Sequence, residues 1–120
     1  MHKFNNNSPI YLQICEFLKS EILLGNLNAG DKVEPVREYA LNLGVNPNTM
    51  QRAFSILESE GIMFSERTTG RFITNDSDRI ETLRKEKKEL IIKNFFDEMS
   101  KIGIDNKLAL DMMKKYVEGE

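Results

Sequence analysis

Residues 35–54 read PVREYALNLGVNPNTMQRAF, and this stretch decides the fold. Pro35 suits the first turn of a short helix, and Gly44 suits the tight turn that would end it. Asn46, followed by a proline, is typical of another helix start, because its amide oxygen can accept a hydrogen bond from the first turn. Ala40 is small enough for two helices to cross closely near the turn. The stretch therefore predicts two short helices joined by a tight turn.

The second of these helices has one apolar side and one polar side. Its apolar residues recur at helical spacing and are predicted to be buried: Met50, Ala53, Phe54 and Leu57. The side chains predicted to face outward or to lie on the flanks are Asn48, Thr49, Gln51, Arg52 and Ser55. Their amide, hydroxyl and guanidinium groups can read base edges or bind phosphates, as the second helix of a helix-turn-helix does. The alternative is an ordinary solvated helix face that begins with a good cap.

The segments on either side of this motif extend the pattern. Residues 10–22 repeat apolar residues at helical spacing, and Ser8 is predicted to cap that helix. After the motif, the β-prone residues 62–67 and 71–74 are separated by residues 68–70, which predicts a hairpin. Helices followed by a hairpin in this order are typical of a winged helix-turn-helix.

The predicted fold class is mainly α with a small β-hairpin (α+β). A winged helix-turn-helix domain is expected over residues 1–75, and a two-helix tail over residues 76–120. The tail should contain one long helix to about residue 100 and a last helix over residues 105–118. The charged run RKEKKE at residues 84–89 is expected to be a solvated part of the long helix.

The tail is rich in apolar residues that cannot all be hidden against so small a domain. We therefore predict that the tail forms the interface of a homodimer. The residues assigned to this interface are Leu90, Ile91, Phe95, Phe96, Met99, Leu108, Met112, Met113 and Tyr116. On the last helix, the predicted inward stripe also includes Val117. The existence of a small-molecule effector is left open, with a modest pocket among the tail's Phe and Met residues as its expected place.

Composition is typical of a soluble protein with one globular core and an appendage. Of the 120 residues, 40% are hydrophobic and 30% are charged. The longest apolar runs, such as residues 22–24, are far too short to cross a bilayer. The first residues, MHKFNNNSPIY, lack the apolar segment of a secretion signal. We therefore expect a cytoplasmic protein that does not bind membranes.

Side chains that could carry catalysis or bind a metal are scarce. Cys15 is the only cysteine, and its place in an apolar helical pattern favours a buried structural thiol. His2 is the only histidine, and no Cys/His spacing suits a metal. The sequence therefore predicts no enzyme activity, no cofactor and no metal. The net charge of −2 does not indicate nucleic-acid binding, so that interpretation depends on where the basic side chains lie.

Several stretches together resemble the GntR family of transcription regulators, and specifically its short YtrA-type subgroup. They are PIYLQI, LNAGDKV, PVREYALNLGVNPNTMQRAFSILESEGI and RTTGRFI. The resemblance spans residues 8–74, and the two-helix tail has the length that this subgroup carries. It implies a sequence-specific regulator, typically a repressor of a small operon, that binds an inverted repeat in double-stranded DNA as a homodimer.

The same resemblance implies which residues contact DNA. They are Arg37 in the first helix of the motif, Asn46, Asn48, Thr49, Gln51 and Arg52 at the second helix, and Thr69, Gly70 and Arg71 at the wing tip, which approaches the minor groove. Two alternatives remain open at this point. Arg37 could form a surface ion pair with Glu34 or Glu38, and Arg71 could be a solvated turn residue.

The chain departs from the family pattern at Glu34-Pro35, where family members often have proline followed by serine. The missing hydroxyl is expected to cost a helix cap or a phosphate contact, and the carboxylate is expected to repel DNA mildly. The alternative function is a winged helix that binds another protein, with the tail as its docking element. That alternative fits the acidic net charge, but it does not explain three arginines at DNA-facing positions.

Overall fold

The structure is a computed structural model that describes residues 3–119 of the chain. Within that range it contains five helices and one two-stranded antiparallel sheet, namely α1 Ile10–Leu23, α2 Val36–Leu43, α3 Pro47–Ser59, β1 Met63–Glu66, β2 Gly70–Ile73, α4 Ser77–Lys101 and α5 Asn106–Glu118. The predicted fold class and the order of the elements are confirmed. His2 lies outside the described residues.

One apolar core holds α1, α2, α3 and the hairpin together. α3 lies at its centre, because it packs against α1, α2 and β1. The predicted buried stripe of α3 is confirmed, since none of Met50, Ala53, Phe54 and Leu57 is exposed to solvent. The neighbours that enclose this stripe include Ile14, Leu18, Ile22, Ala40, Leu43, Ile62, Met63 and Ile73. The core therefore fixes α3 by its apolar side and leaves its polar side in solvent.

The helix starts follow the predicted chemistry at α3 but not at α1. Asn46 caps α3, because its Oδ1 accepts a hydrogen bond from the Asn48 backbone N–H at 2.7 Å. α1 is preceded by Pro9 and has no side-chain cap, so the predicted cap by Ser8 is wrong. The segment before α1 folds back onto that helix instead, and the Ser8 carbonyl accepts from Gln13 Nε2 at 2.8 Å.

The hairpin turn is shifted by one residue from its predicted position. β1 and β2 pair with Phe64 opposite Phe72 and Glu66 opposite Gly70. Gly70, which the sequence placed in the turn, is therefore the first residue of β2. Its φ of +111° is rarely adopted by a residue with a Cβ, so glycine is favoured there. Lys32 forms an isolated bridge with Phe72, which adds the segment before α2 to the edge of the hairpin.

The chain divides into two compact units, Met1–Leu83 and Arg84–Glu120. The sequence had placed the boundary earlier, after Asn75. The difference arises because the first turns of α4 contribute Ile80 and Leu83 to the apolar core around α3. The first unit therefore consists of the winged helix together with the beginning of α4.

The second unit has almost no core of its own. Among its described residues only Ala109 is buried. The predicted inward stripe of α5 is wrong for the single chain, since Tyr116 and Val117 are 85% and 82% exposed. Two helices alone can enclose only a narrow strip, and large side chains remain outside it. The large apolar side chains that stay exposed in this unit are Leu90, Ile91, Ile92, Ile102, Leu108, Leu110, Met112, Met113, Tyr116 and Val117.

Candidate nucleic-acid interface

The beginning of α3 presents a polar surface to solvent, as the sequence predicts. Asn48, Gln51 and Arg52 are exposed, and Thr49 is half-buried. Asn46 is also exposed, but its side-chain oxygen caps the helix, so only its amide N–H groups are free for another partner. The helix N-terminus adds partial positive charge. Its backbone amides add little, because Pro47 has no N–H and the N–H groups of Asn48 and Met50 already bond to Asn46. This end of α3 can therefore donate hydrogen bonds to base edges or to phosphates.

Arg52 is held against α1 by an aromatic contact. Its Cζ lies 3.7 Å from the centroid of the Tyr11 ring, so the guanidinium covers the face of that ring. Among residues 3–119, no carboxylate forms an ion pair with Arg52. Because the stacking uses the flat face of the guanidinium, its in-plane N–H donors stay available.

Arg71 is bound to α3 and is not a solvated turn residue, so that alternative is wrong. Its Nε donates to Glu58 Oε1 at 2.5 Å, and its Nη1 donates to Gln51 Oε1 at 3.4 Å. Its Cζ also lies 5.1 Å from the centroid of the Phe54 ring. Since Arg71 belongs to β2, these contacts attach the wing directly to the helix that carries the polar surface. Within residues 3–119 its Nη2 group has no hydrogen-bond partner and can bind a further one.

Glu58 is the centre of this attachment. Besides Arg71, its Oε1 accepts from Ser65 Oγ at 2.6 Å, so one carboxylate binds both strands of the hairpin. Partial burial raises the pKa of Glu58, but the hydrogen bonds from Ser65 and Arg71 and the charge of Arg71 outweigh it. The net effect lowers the pKa below its ordinary value, and the carboxylate is ionised at neutral pH.

Glu58→Gln is expected to destabilise the protein by about 1 kcal/mol at neutral pH, since the amide cannot form the charge-assisted bonds to Arg71. A lowered folded pKa means that Glu58 contributes stability above its unfolded pKa of about 4.3 and loses it as pH falls further. The difference between variant and wild type should therefore fade below that pH. Urea unfolding at pH 7 and pH 3 measures this. Glu66→Gln is the matched control, because Glu66 is exposed and its side chain bonds only to Thr69 among the described residues.

Arg37 is exposed on α2 and makes no ion pair within the part of the chain that the structure describes. The alternative of an ion pair with Glu34 is therefore wrong. Glu34 Oε2 instead accepts a hydrogen bond from Asn42 Nδ2 at 2.8 Å. Glu38 does not pair with Arg37 either. At the preceding Pro35, α2 has no side-chain cap, as expected from the missing hydroxyl. The guanidinium of Arg37 is thus free to bind an anion.

The wing tip carries positive charge that the sequence reasoning missed. Thr69 Oγ1 donates to Glu66 Oε2 at 3.0 Å, and Gly70 follows it at the start of β2. Lys32 lies beside Gly70, since its Cε would be 3.4 Å from a Cβ built there. Arg67, in the turn, is exposed as well. Lys32 is remote from the wing in sequence, so only the bridge to the hairpin reveals its place, whereas Arg67 could have been noticed in the turn.

Few of the described residues could act in catalysis or hold a metal. Burial raises the pKa of the Cys15 thiol to about 11, partly offset by Lys19, so the thiol is neutral at physiological pH. Its Sγ donates to the Ala53 carbonyl at 3.6 Å, in line with the predicted structural role. Across residues 3–119, no group of His, Cys, Asp and Glu side chains is placed to hold a metal, and no helix is long and apolar enough to span a membrane.

Comparison with known proteins identifies this arrangement. Residues 10–73, which hold α1, α2, α3 and the hairpin, match the model for bacterial regulatory proteins of the gntR family. The chain belongs to the GntR family. The winged helix and its polar α3 are therefore the DNA-binding domain of a GntR-family transcription regulator, and regulators of this family are not enzymes.

Two relatives of this GntR-family chain match it over most of its length. The HTH-type transcriptional regulator YhcF of Bacillus subtilis is 32% identical over 118 residues, which are 98% of each chain. The HTH-type transcriptional repressor YtrA of the same species is 34% identical over 93 residues, which are 72% of each chain. The resemblance to YtrA-type regulators is thus confirmed.

Solved structures of GntR-family regulators have the same fold as this chain. A GntR family transcriptional regulator from Listeria monocytogenes superposes with a TM-score of 0.87 at 42% identity, covering 93% of this chain and 98% of that one. The DNA-binding domain of AraR in complex with the operator ORR3 superposes with a TM-score of 0.53 at 25% identity. That match covers 62% of this GntR-family chain and 92% of the AraR chain.

Proposed function

We propose that this GntR-family chain is a sequence-specific repressor that binds an inverted-repeat operator as a homodimer. The observation that carries the proposal is the exposed beginning of α3, where Arg52 keeps its hydrogen-bond donors free beside Asn48. Guanidinium and amide groups at the start of such a helix are suited to the guanine and adenine edges of the major groove. The similarity to YtrA, which is named as a repressor, supports the direction of regulation.

The proposed contacts divide by position. Asn48 and Arg52 are the candidates for base edges, since they project from the exposed side of α3 near its start. The candidates for phosphates and for the edges of the site are Arg37, Asn46, Thr49, Gln51, Thr69, Gly70 and Arg71, and the structure adds Lys32 and Arg67. Of the cations in these sets, Lys32, Arg37, Arg52 and Arg67 are exposed, so a chain of net charge −2 still presents positive side chains that can bind DNA.

The tail is proposed to form the dimer. Its second-unit side chains lie on an apolar surface that the single chain does not cover, and exposed apolar patches of this kind mark interfaces. Leu90 and Ile91 are exposed by 51% and 58%, and Phe95, Phe96 and Met99 are half-buried. The interface is assigned to these five residues together with Leu108, Met112, Met113 and Tyr116 of α5.

A cleft of about 450 Å³ lies within this surface, lined by Phe95, Met99, Met112, Met113, Tyr116 and Val117. It contains no charged or amide side chain that could orient a polar effector, whereas ligand sites combine apolar walls with a few placed polar groups. Apolar side chains of a second copy would fill such a cleft without any polar group to orient them. We therefore assign the cleft to dimerisation in preference to a small-molecule effector.

The test is a footprint on the DNA upstream of this protein's own gene, followed by binding isotherms on the protected sequence. Two protected segments are expected on one face of the duplex, with centres about one helical turn (~10 bp) or slightly more apart. A scrambled sequence of the same length is the control. Binding that does not distinguish the two duplexes would favour the protein-interaction function instead.

A further inference from the structure

Among the arginines proposed to meet DNA, Arg52 has a distinctive environment. Arg37 makes no ion pair within residues 3–119, so nothing there fixes the direction of its charge. Arg71 is fixed, but Glu58 and Gln51 already occupy its Nε and Nη1 donors. Arg52 is fixed by an aromatic ring, and that contact occupies none of its donors.

The ring belongs to Tyr11, in the first turn of α1. Tyr11 is half-buried, whereas Arg52 is exposed, so the ring forms a platform beneath a side chain that faces solvent. Both helices are anchored in the same core, through Ile14 on α1 and Ala53 on α3, neither of which is exposed. The platform therefore has a fixed position relative to the polar surface of α3.

An arginine without such a contact samples many rotamers. Ordering one rotamer on binding then lowers the affinity by the lost side-chain entropy. Stacking on Tyr11 removes part of that cost before DNA arrives, because cation–π attraction favours one placement of the guanidinium. The planar fork that remains free matches the paired acceptors of a guanine edge or of a phosphate. Tyr11 thus fixes the direction of the Arg52 N–H donors without using any of them.

We propose that Tyr11 is a positioning residue that preorganises Arg52 for a bidentate contact with DNA. The proposal rests on the proposed function, in which the start of α3 reads the operator. Tyr11 acts through its ring, since the ring face is what Arg52 contacts, and its phenol hydroxyl is not needed.

The experiment compares Tyr11→Leu, Tyr11→Phe, Arg52→Ala and the double variant Tyr11→Leu/Arg52→Ala in the full-length protein. Dissociation constants are measured on the footprinted operator and on scrambled DNA of the same length. Tyr11→Leu removes the ring and is expected to weaken operator binding about two- to five-fold, the size of an exposed cation–π contact. Tyr11→Phe keeps the ring and is expected to restore wild-type binding. In the Arg52→Ala background, Tyr11→Leu should have no further effect.

Thermal melting of each variant separates positioning from folding. A loss of operator affinity that tracked the melting temperature, or that persisted undiminished without Arg52, would show a merely structural role and overturn the proposal. Equal losses in Tyr11→Phe and Tyr11→Leu would overturn it too, because the hydroxyl would then be the active group. If wild type bound the operator and Tyr11→Leu bound it equally well, this inference alone would fail. If wild type did not distinguish operator from scrambled DNA, the proposed function itself would fail.

Discussion

Tyr116→Asp is expected to convert the proposed dimer into monomers. Tyr116 is 85% exposed in the single chain and lines the apolar cleft with Phe95 and Met99, so a second copy would cover it. A carboxylate placed there would lose its hydration without gaining a hydrogen-bond or ion-pair partner. Burying such an unpaired charge would destabilise an apolar interface strongly. Sedimentation equilibrium at micromolar concentration measures the mass of each protein.

The same substitution is expected to weaken operator binding by about 100-fold or more, although it lies outside the DNA-binding unit. Two linked DNA-binding units gain avidity, because binding of one raises the effective concentration of the other at its half-site. Tyr116→Phe is the control, since it keeps an aromatic ring at the same position in the cleft and adds no charge. A Tyr116→Asp protein that stayed dimeric and bound the operator normally would refute the assigned interface.

Arg52→Ala is expected to cost roughly 1–3 kcal/mol on the operator and to relax the preference for one base in each half-site. The physical reason is that a bidentate contact to a base edge exists only on the correct sequence, so binding to scrambled DNA should change little. Since Arg52 is exposed and its contact with the Tyr11 ring is an exposed cation–π contact, the melting temperature should fall by a few degrees at most. Isotherms on operators substituted one base at a time locate the affected position.

Arg37→Ala provides the contrast to Arg52→Ala. Arg37 is also exposed and makes no ion pair among the described residues, so its removal disturbs no internal contact. A lost phosphate contact should weaken operator and scrambled DNA alike and flatten the dependence of affinity on salt concentration. If both variants bound the operator like wild type, α3 would not be the reader and the protein-interaction function would gain support.

The features that could be predicted from sequence are those encoded by neighbouring residues. The cap by Asn46, the turn at Gly44 and the buried stripe of α3 each depend on a few consecutive residues and on helical periodicity. The hairpin was also recognisable, but its turn was misplaced by one residue. Gly70 is typical of turns, and sequence alone could not show that its unusual φ occurs within a paired strand.

The features that could not be predicted depend on contacts between distant residues. Arg71 and Glu58 are 13 residues apart, and nothing in either segment shows that one would neutralise the other. Tyr11 was visible only as part of an apolar helical pattern, and its contact with Arg52 requires the packing of α1 on α3. The boundary after Leu83 likewise depends on which turns of α4 join the core. Such pairings appear only when the elements are assembled.

The link through Glu58 bears on how DNA specificity could be transferred between relatives. Because Ser65 and Arg71 both bind Glu58, the angle between the hairpin and α3 is encoded by residues in both elements. A chimaera that received a foreign hairpin alone would lose these partners and dock it differently. Exchanging residues 46–73 as a block would carry the helix, its partner strands and their mutual orientation together. We expect transplanted specificity to follow that block, which makes it the practical unit for redesigning such regulators.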